Sequence, residues 1–219
     1  MQLYIPIADV DHILKEHRDN PTFGNVREIF ARDCYLWRLR LGTPQRHELD
    51  LGTNRGIFSI LALVALQSEL VVGVEPLGVY LPVFERLLQA NHCNPNRAPR
   101  YTRFISSPSN ERQDPDHNVS IQTILREQNI PRFNLVKMDI EGYEKDLFRE
   151  PEWLANTDSL TMELHPHLAG NLSLIPEALE RYGFEFALMD QAGQPARIVS
   201  AMFLVASSKG ALAAVPHEG

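Results

Sequence analysis

Positive charge is what this 219-residue chain is short of: 21 Lys and Arg stand against 28 Asp and Glu, a formal charge of −7, and they form no basic cluster. Nucleic acids and anionic membranes are bound mainly by neutralising phosphates, so neither is expected as a main partner. Cysteine is scarce as well. The two that occur, Cys34 and Cys93, lie in no C-x-x-C pair and at no metal-ligand spacing, and read as reduced, buried thiols of a cytosolic chain. No apolar stretch approaches the roughly 18 residues of a membrane span, and Asp9 and Asp11 interrupt the run a signal peptide needs, so a cytoplasmic location is expected. The triplets at Asn118-Val119-Ser120 and Asn171-Leu172-Ser173 then read as chance matches to a glycosylation signal. Internal repeats and low-complexity runs are missing too. With 44% apolar residues the chain can bury a core, and its length suits one domain of ordinary size.

Residues 1–45 read as an N-terminal helical cap, with HILKEH and VREIFARDCYLWRL at helical spacing and Asn20 to Gly24 breaking them apart. Residues 46–207 read as the main domain. There ELDLG, FSILALVAL, LVVGVE and VYLPVFERLLQAN give strand, helix, strand, helix, which implies a parallel sheet with right-handed crossovers. The pattern continues with a strand near Tyr101 to Ile105, a helix near Val119 to Gln128, the buried strand NLVKMD, a helix from Tyr143, the strand SLTMEL and the helix PEALERYG. Phe184 to Met189 and Ala201 to Ala206 are joined by a link too short for a crossover helix, so they are expected as antiparallel neighbours. Ser106 to Asn118 reads as a polar loop and residues 208–219 as a flexible tail. The fold class is therefore α/β: a mostly parallel, seven-stranded Rossmann-like sheet with a C-terminal antiparallel hairpin and helices on both faces.

Asp50-Leu51-Gly52-Thr53-Asn54-Arg55-Gly56 stands where the first strand gives way to a helix. Glycines there let the backbone approach a ligand, and the helix start offers free N–H groups. The spacing is not G-x-G-x-x-G, and the acid precedes the first glycine. A carboxylate at that point repels a pyrophosphate but suits a ligand with an ammonium and a sulfonium, as S-adenosylmethionine has; a turn that needs glycine for its backbone angles alone is the plainer alternative. Glu75 ends the second strand, where a carboxylate can accept both ribose hydroxyls of an adenosine. In open α/β sheets ligands lie beyond the carboxyl ends of the strands, so Asp139 and Glu141 are expected to face the same crevice as Asp50 and Glu75. Read otherwise, Asp139 caps the next helix while Glu141 and Glu144 favour its dipole.

At the end of the next strand Glu163 and His165 stand two apart, which on a strand points them the same way. Three readings stay open. His165 is a proton acceptor that Glu163 orients or keeps basic; or it is a partly exposed loop histidine, the better description of His167; or Asp139, Glu163 and His165 hold a divalent metal, a reading that no tight spacing within one element supports.

The ordered set D-L-G-T-N-R-G, V-E-P, K-M-D-I-E-G-Y-E and M-E-L-H, from about Glu48 to Pro166, resembles the FkbM-type methyltransferases. The resemblance implies the class I methyltransferase fold and S-adenosylmethionine as cofactor, with Asp50, Gly52, Thr53, Asn54, Gly56, Glu75 and Asp139 around it. It also implies methylation of a hydroxyl on a small molecule, sugar or secondary metabolite. Lys137, Asp139, Glu141, Glu144, Glu163 and His165 fall on the family's K-x-D-x-E-G-x-E and E-x-H patterns, and among them His165, Asp139, Glu141 and Glu163 are the expected catalytic residues. The chain departs from the pattern at Arg46, His47 and Glu48, where apolar residues are usual, and at Ser106 to Asn118, which leaves the adenine end unassigned. A nicotinamide oxidoreductase would share the fold and Glu75 but requires the missing glycine spacing. An inactive cofactor-binding module acting as partner or regulator is the alternative from another class. A homo-oligomer is left open.

Overall fold

Short apolar runs separated by amphipathic stretches fold here as strands and crossover helices, as the alternation requires. The structure, a computed structural model, describes residues 2–17, 21–39, 46–169, 172–208 and 212. The N-terminal segment holds α1 (Ile7–Leu14) and α2 (Thr22–Val26), which runs on into a wider turn at Arg27–Ala31. There follow β1 (His47–Leu51), α3 (Ile57–Val64), β2 (Leu70–Val74), α4 (Leu81–Ala90), β3 (Arg100–Tyr101), β4 (Phe104–Ile105), α5 (Pro108–Gln113), β5 (Asn118–Val119) and α6 (Ile121–Glu127). The chain continues through β6 (Phe133–Met138), α7 (Glu144–Arg149), β7 (Thr157–Glu163), α8 (Pro166–Ala169), α9 (Leu174–Arg181), β8 (Glu185–Met189) and β9 (Phe203–Ser207).

Seven strands form one sheet in the order β3-β2-β1-β6-β7-β9-β8, parallel except that β9 runs antiparallel to both β7 and β8. One face is covered by α6, α7 and α9 through Ile121, Ile124, Phe148, Ile175 and Leu179; α1, α3 and α4 cover the other through Val10, Phe58, Ile60, Phe84 and Leu87. The chain winds outward from β1 to β2 and β3, then returns to start β6 on the other side of β1. That reversal opens a crevice between the carboxyl ends of β1 and β6, where Gly52 and Asp139 stand, which is the position at which open α/β sheets bind ligands.

Five expectations are corrected. The strand near Tyr101 to Ile105 is two: β3 stays in the main sheet, while β4 leaves it to pair with β5 in a small second sheet. Ser106 to Asn118 is not all loop, because Pro108 at its first helical position and the Ser107 hydroxyl, accepting from Asn110 N, start α5. Of the break at Asn20 to Gly24, the described part from Thr22 onward is helical. The helical spacing of Val26 to Leu39 stops at Arg32, since Asp33 takes φ +47 and redirects the chain. Cys34 is buried as expected but Cys93 only partly, and both are free thiols. Most of the expected tail lies outside the described residues, and no described helix is long and apolar enough to cross a membrane.

Glu48, one of the departures in the first strand, is fully buried beneath the α3 side of the sheet, with Ser68 Oγ donating to it at 2.5 Å. Burial, offset in part by that hydrogen bond and aided by Asp50, pushes its carboxyl up from 4.5 to about 7. An acid with a raised native pKa favours folding while it is protonated. Its contribution is therefore full below pH 4.5 and is lost as pH rises through about 7; at about 1.4 kcal/mol for each pH unit across that interval, it amounts to about 3 kcal/mol in all. Glu48→Gln keeps the shape without the charge, so urea midpoints should match wild type near pH 4.5 and exceed it at pH 8. A variant that loses stability at pH 8 would show that the ionised carboxylate is what the fold requires.

Candidate active site

The loop after β1 is held from below. Asp50 is fully buried: its Oδ2 accepts from Ser59 Oγ at 2.6 Å, and its Oδ1 lies 3.3 Å from Lys137 Nζ, its register partner on β6. Lys137, buried as well, donates to the Gly52 carbonyl at 2.9 Å. Burial alone would lower the Lys137 ammonium, but the charges of Asp50 and then Asp139 outweigh it and hold the group above its ordinary value. The sequence pattern puts Asp50 in the crevice; it sits beneath the loop instead and anchors the lysine that pins it. Gly52 has φ +71, and a Cβ there would come 1.6 Å from the Asp139 carbonyl oxygen. The neighbouring strand end alone thus requires glycine here, and the residue also lines both cavities described below. Gly56, at φ +88, begins α3 where a Cβ would strike the Phe84 ring at 2.1 Å. The Thr53 hydroxyl turns inward to the Asp50 carbonyl at 2.8 Å.

Two cavities open above this loop. The first, about 360 Å³, is mostly apolar and is lined by Leu77, Tyr80, Phe104, Ile105 and Tyr143 with Glu75 on its wall. The Glu75 carboxylate is 94% buried; Oε2 accepts from Asn54 N at 3.0 Å and Oε1 from Leu77 N at 2.9 Å, leaving lone pairs for further donors. Phe104 and Tyr143 face each other on its wall with ring centroids 6.0 Å apart. The second cavity, about 270 Å³, is polar and is lined by Asn25, Glu28, Tyr35, Phe58, Lys137 and Glu163. Gly52, Asn54, Asp139 and Glu141 line both, so the two spaces meet there.

Two residues of the site have roles that the sequence does not mark, Tyr35 outside any motif and Arg55 inside the glycine motif. Tyr35, just after the turn at Asp33, is buried between Phe58 and Phe203 with its hydroxyl 3.2 Å from Asp139 Oδ2 and 3.4 Å from Glu163 Oε2. One phenolic proton thus faces two carboxylates. Burial, then the charges of Asp139 and Glu163, hold this phenol well above its ordinary value, while burial and Asp139 raise Glu163 to about 7. Arg55, also buried, donates Nε to Thr22 Oγ1 and Nη1 to the side-chain oxygens of Asn25 and Asn54, tying α2 to the glycine loop. Neither residue's role follows from a motif; only the tertiary fold brings Tyr35 to the loop and Arg55 to α2.

His165 lies past the end of β7, and its orientation comes from Glu144 rather than from Glu163. Its Nδ1 is 2.7 Å from Oε1 of Glu144, which is fully buried at the start of α7, and its Nε2 lies 3.5 Å from Glu141 Oε2 and 3.8 Å from Asp139 Oδ1. Burial works against the charged imidazole, but the Glu144 hydrogen bond and charge, with Asp139 and Glu163, push it up to about 9. That direction favours the protonated ring, and the carboxylate that holds the ring is Glu144 instead of the Glu163 of the E-x-H pair. Asp139 does not cap the helix either, since α7 begins five residues later and its N-cap position is Tyr143. The alternative metal set of Asp139, Glu163 and His165 is corrected in one member, because the donor atoms that cluster belong to Asp139, Glu141 and His165. His167 is exposed, as the plainer reading has it.

The model of the methyltransferase FkbM domain matches residues 50–186. No curated protein matches the chain in sequence. Among solved structures, the delta-N METTL16 MTase domain superposes with a TM-score of 0.53 at 11% identity, over 92% of this chain and 94% of that one. The N-terminal domain of human METTL16 gives 0.51 at 10% identity, over 95% and 72%. At these identities the likeness is one of fold, and the shared fold is that of Rossmann-like methyltransferases.

Two substitutions separate the loop's structural and binding parts. Gly52→Ala should lower unfolding stability by about 2–4 kcal/mol in urea, because either the Asp139 carbonyl or the loop must move; unchanged stability with lost ligand binding would return the glycine to a ligand-contact role. Glu75→Ala should weaken S-adenosylhomocysteine by about 1.5–3 kcal/mol, roughly ten- to a hundredfold, in calorimetry. Unchanged affinity in a folded variant removes Glu75 from the cofactor's contacts.

Proposed function

Because the chain belongs to the methyltransferase FkbM domain family, an S-adenosylmethionine-dependent one, we propose that the apolar cavity takes the cofactor and the polar cavity an alcohol, making the protein an O-methyltransferase of small, uncharged hydroxylated molecules. The observation that carries this reading is the meeting of the two cavities at Gly52, Asn54, Asp139 and Glu141. Adenosine suits a space walled by Phe104, Ile105 and Tyr143 with Glu75 to receive ribose hydroxyls. The methionyl end then reaches the Gly52 and Asn54 backbone, and the methyl group faces the second cavity.

Transfer to an alcohol is an in-line displacement: the acceptor oxygen bonds to the methyl carbon as the carbon–sulfur bond breaks and its electron pair returns to sulfur. Most of the catalysis is alignment of the two bound reactants. The hydroxyl proton leaves toward the carboxylates of the polar cavity, Asp139 and Glu163, which the Tyr35 hydroxyl braces. With Glu28, Asp139, Glu141 and Glu163 on its walls, and Lys137 already engaged with Asp50 and Gly52, this cavity favours hydrogen-bond donors and disfavours phosphates and carboxylates. The acid lining and the −7 charge also argue against a nucleic-acid acceptor.

Methylation of neutral sugars and cyclitols, followed by mass spectrometry and NMR of the product, tests the reading. A single O-linked methyl is expected, with kcat/KM about tenfold or more lower for the phosphorylated counterpart of a good acceptor. A preference for the phosphate, or an N-linked product, would remove the acceptor class. Tight S-adenosylhomocysteine binding with no turnover on any acceptor would favour the inactive module.

A further inference from the structure

We propose that Asp139, Glu141 and His165 form a binding site for one divalent cation, manganese or magnesium, placed where the cofactor and acceptor cavities meet; the inference rests on the methyltransferase reading and names what grips the acceptor oxygen. One carboxylate oxygen from each acid and one histidine nitrogen lie within 4.8 Å of one another. Nε2 of His165 is 3.5 Å from Glu141 Oε2 and 3.8 Å from Asp139 Oδ1, distances that a cation drawing its ligands inward would shorten. Asp139 and Glu141 also face both cavities, which places the open side of the set where substrate oxygen would arrive.

A second observation comes from behind the set. His165 is 94% buried, its Nε2 forms no hydrogen bond among the described residues, and its Nδ1 is fixed at 2.7 Å by Glu144, which is fully buried and contributes no donor to the cluster. A carboxylate on the far nitrogen is how metal-bound histidines are usually held: it accepts a hydrogen bond from Nδ1–H, orients the ring, and leaves the Nε2 lone pair directed at the other ligands. A histidine with a merely structural part would be served by Glu144 alone. Here the ring carries a second nitrogen toward two further carboxylates, at 3.5 Å from Glu141 and 3.8 Å from Asp139.

Two carboxylate oxygens and one imidazole nitrogen, with no thiolate, make a hard, incomplete donor set suited to manganese or magnesium with water or substrate in the remaining positions. A cation there accepts a lone pair of the acceptor hydroxyl and acidifies it. The O–H bond breaks, its proton passes to Glu163 or to water, the alkoxide oxygen bonds to the methyl carbon, and the C–S electron pair returns to sulfur. The cation is unchanged, and no oxidant or second reactant is required.

The test is a calorimetric and electron-paramagnetic titration of Mn²⁺ into chelator-stripped protein saturated with S-adenosylhomocysteine. One ion per chain is expected to bind. Glu141→Ala, at a side chain 76% exposed and so harmless to folding, should weaken Mn²⁺ at least tenfold, as should His165→Ala where it folds. Glu144→Gln should weaken it about tenfold through the loosened ring. Glu28→Gln, an acid of the same cavity outside the donor set, should change Mn²⁺ affinity less than twofold. No saturable binding, or an equal loss in Glu28→Gln and Glu141→Ala, would overturn the site and leave only a diffuse negative field. Full-rate methylation by the EDTA-stripped enzyme would likewise overturn it while leaving the methyltransferase reading intact. That reading fails on a different result, absence of methyl transfer to every acceptor with Mn²⁺ present, and the metal titration is read without any acceptor.

Discussion

Position 52 has no room for a side chain: the Asp139 carbonyl oxygen lies 1.6 Å from where a Cβ would sit, so the ends of β1 and β6 can approach only with glycine there. Much of the site follows from that approach. Because the two strands stay paired to their ends, Asp50 and Lys137 are register partners and neutralise each other beneath the loop. The Lys137 ammonium then reaches the Gly52 carbonyl and fixes the loop from inside. With the loop fixed, Asn54 N can donate to Glu75 across the switch point, and one wall of the apolar cavity is complete. A larger residue at 52 would part the strands and separate the carboxylate at 139 from the loop it faces.

The concentration of acids at the same strand ends is costly for the fold, and its treatment shows what the site is built to do. Lys137 serves Asp50 first and lies 3.9 Å from Asp139; the Tyr35 phenol gives one proton to two carboxylates; Glu144 is spent on His165. Glu163 and Asp139 thus remain under-compensated, which is why burial and mutual repulsion raise the Glu163 carboxyl. A protein without use for these charges would be more stable with apolar residues in their place. Retaining them beside a cavity fits a ligand that brings hydrogen-bond donors or positive charge, which both the cofactor's methionyl end and a divalent cation do.

The sheet was legible because strand and helix periods differ and because the hairpin link is too short for a helix; the glycine loop was legible because its acid, glycines and asparagine sit together in the chain. The errors have equally local causes. Period-two reasoning pairs His165 with Glu163, but β7 ends at Glu163, so His165 lies outside the strand and turns to Glu144 instead. Asp50 looks solvent-facing because strand ends usually are, whereas its lysine partner comes from a strand 87 positions later in the chain and draws it under the loop. Tyr35 carries no signal at all, and Arg55 sits in the glycine motif without any mark of its tie to α2. An aromatic in a helical-looking run reads as core, and only the positive φ at Asp33, which no pattern marks, swings Tyr35 into the crevice.

Arg55 joins these threads into one mechanical unit. Its guanidinium holds Thr22 and Asn25 of α2 on one side and the Asn54 side chain on the other, while the Asn54 backbone holds Glu75. Asn25 lies on the wall of the polar cavity and Glu75 on the wall of the apolar one. Under the proposed function, a ligand that shifts α2 pulls on the residue that positions the Glu75 carboxylate, and a cofactor that orders Glu75 steadies the wall of the polar cavity. Because Arg55 and Asn54 link the two walls, each ligand is expected to find its cavity better formed when the other is already bound, a coupling that must by linkage be equal in both directions.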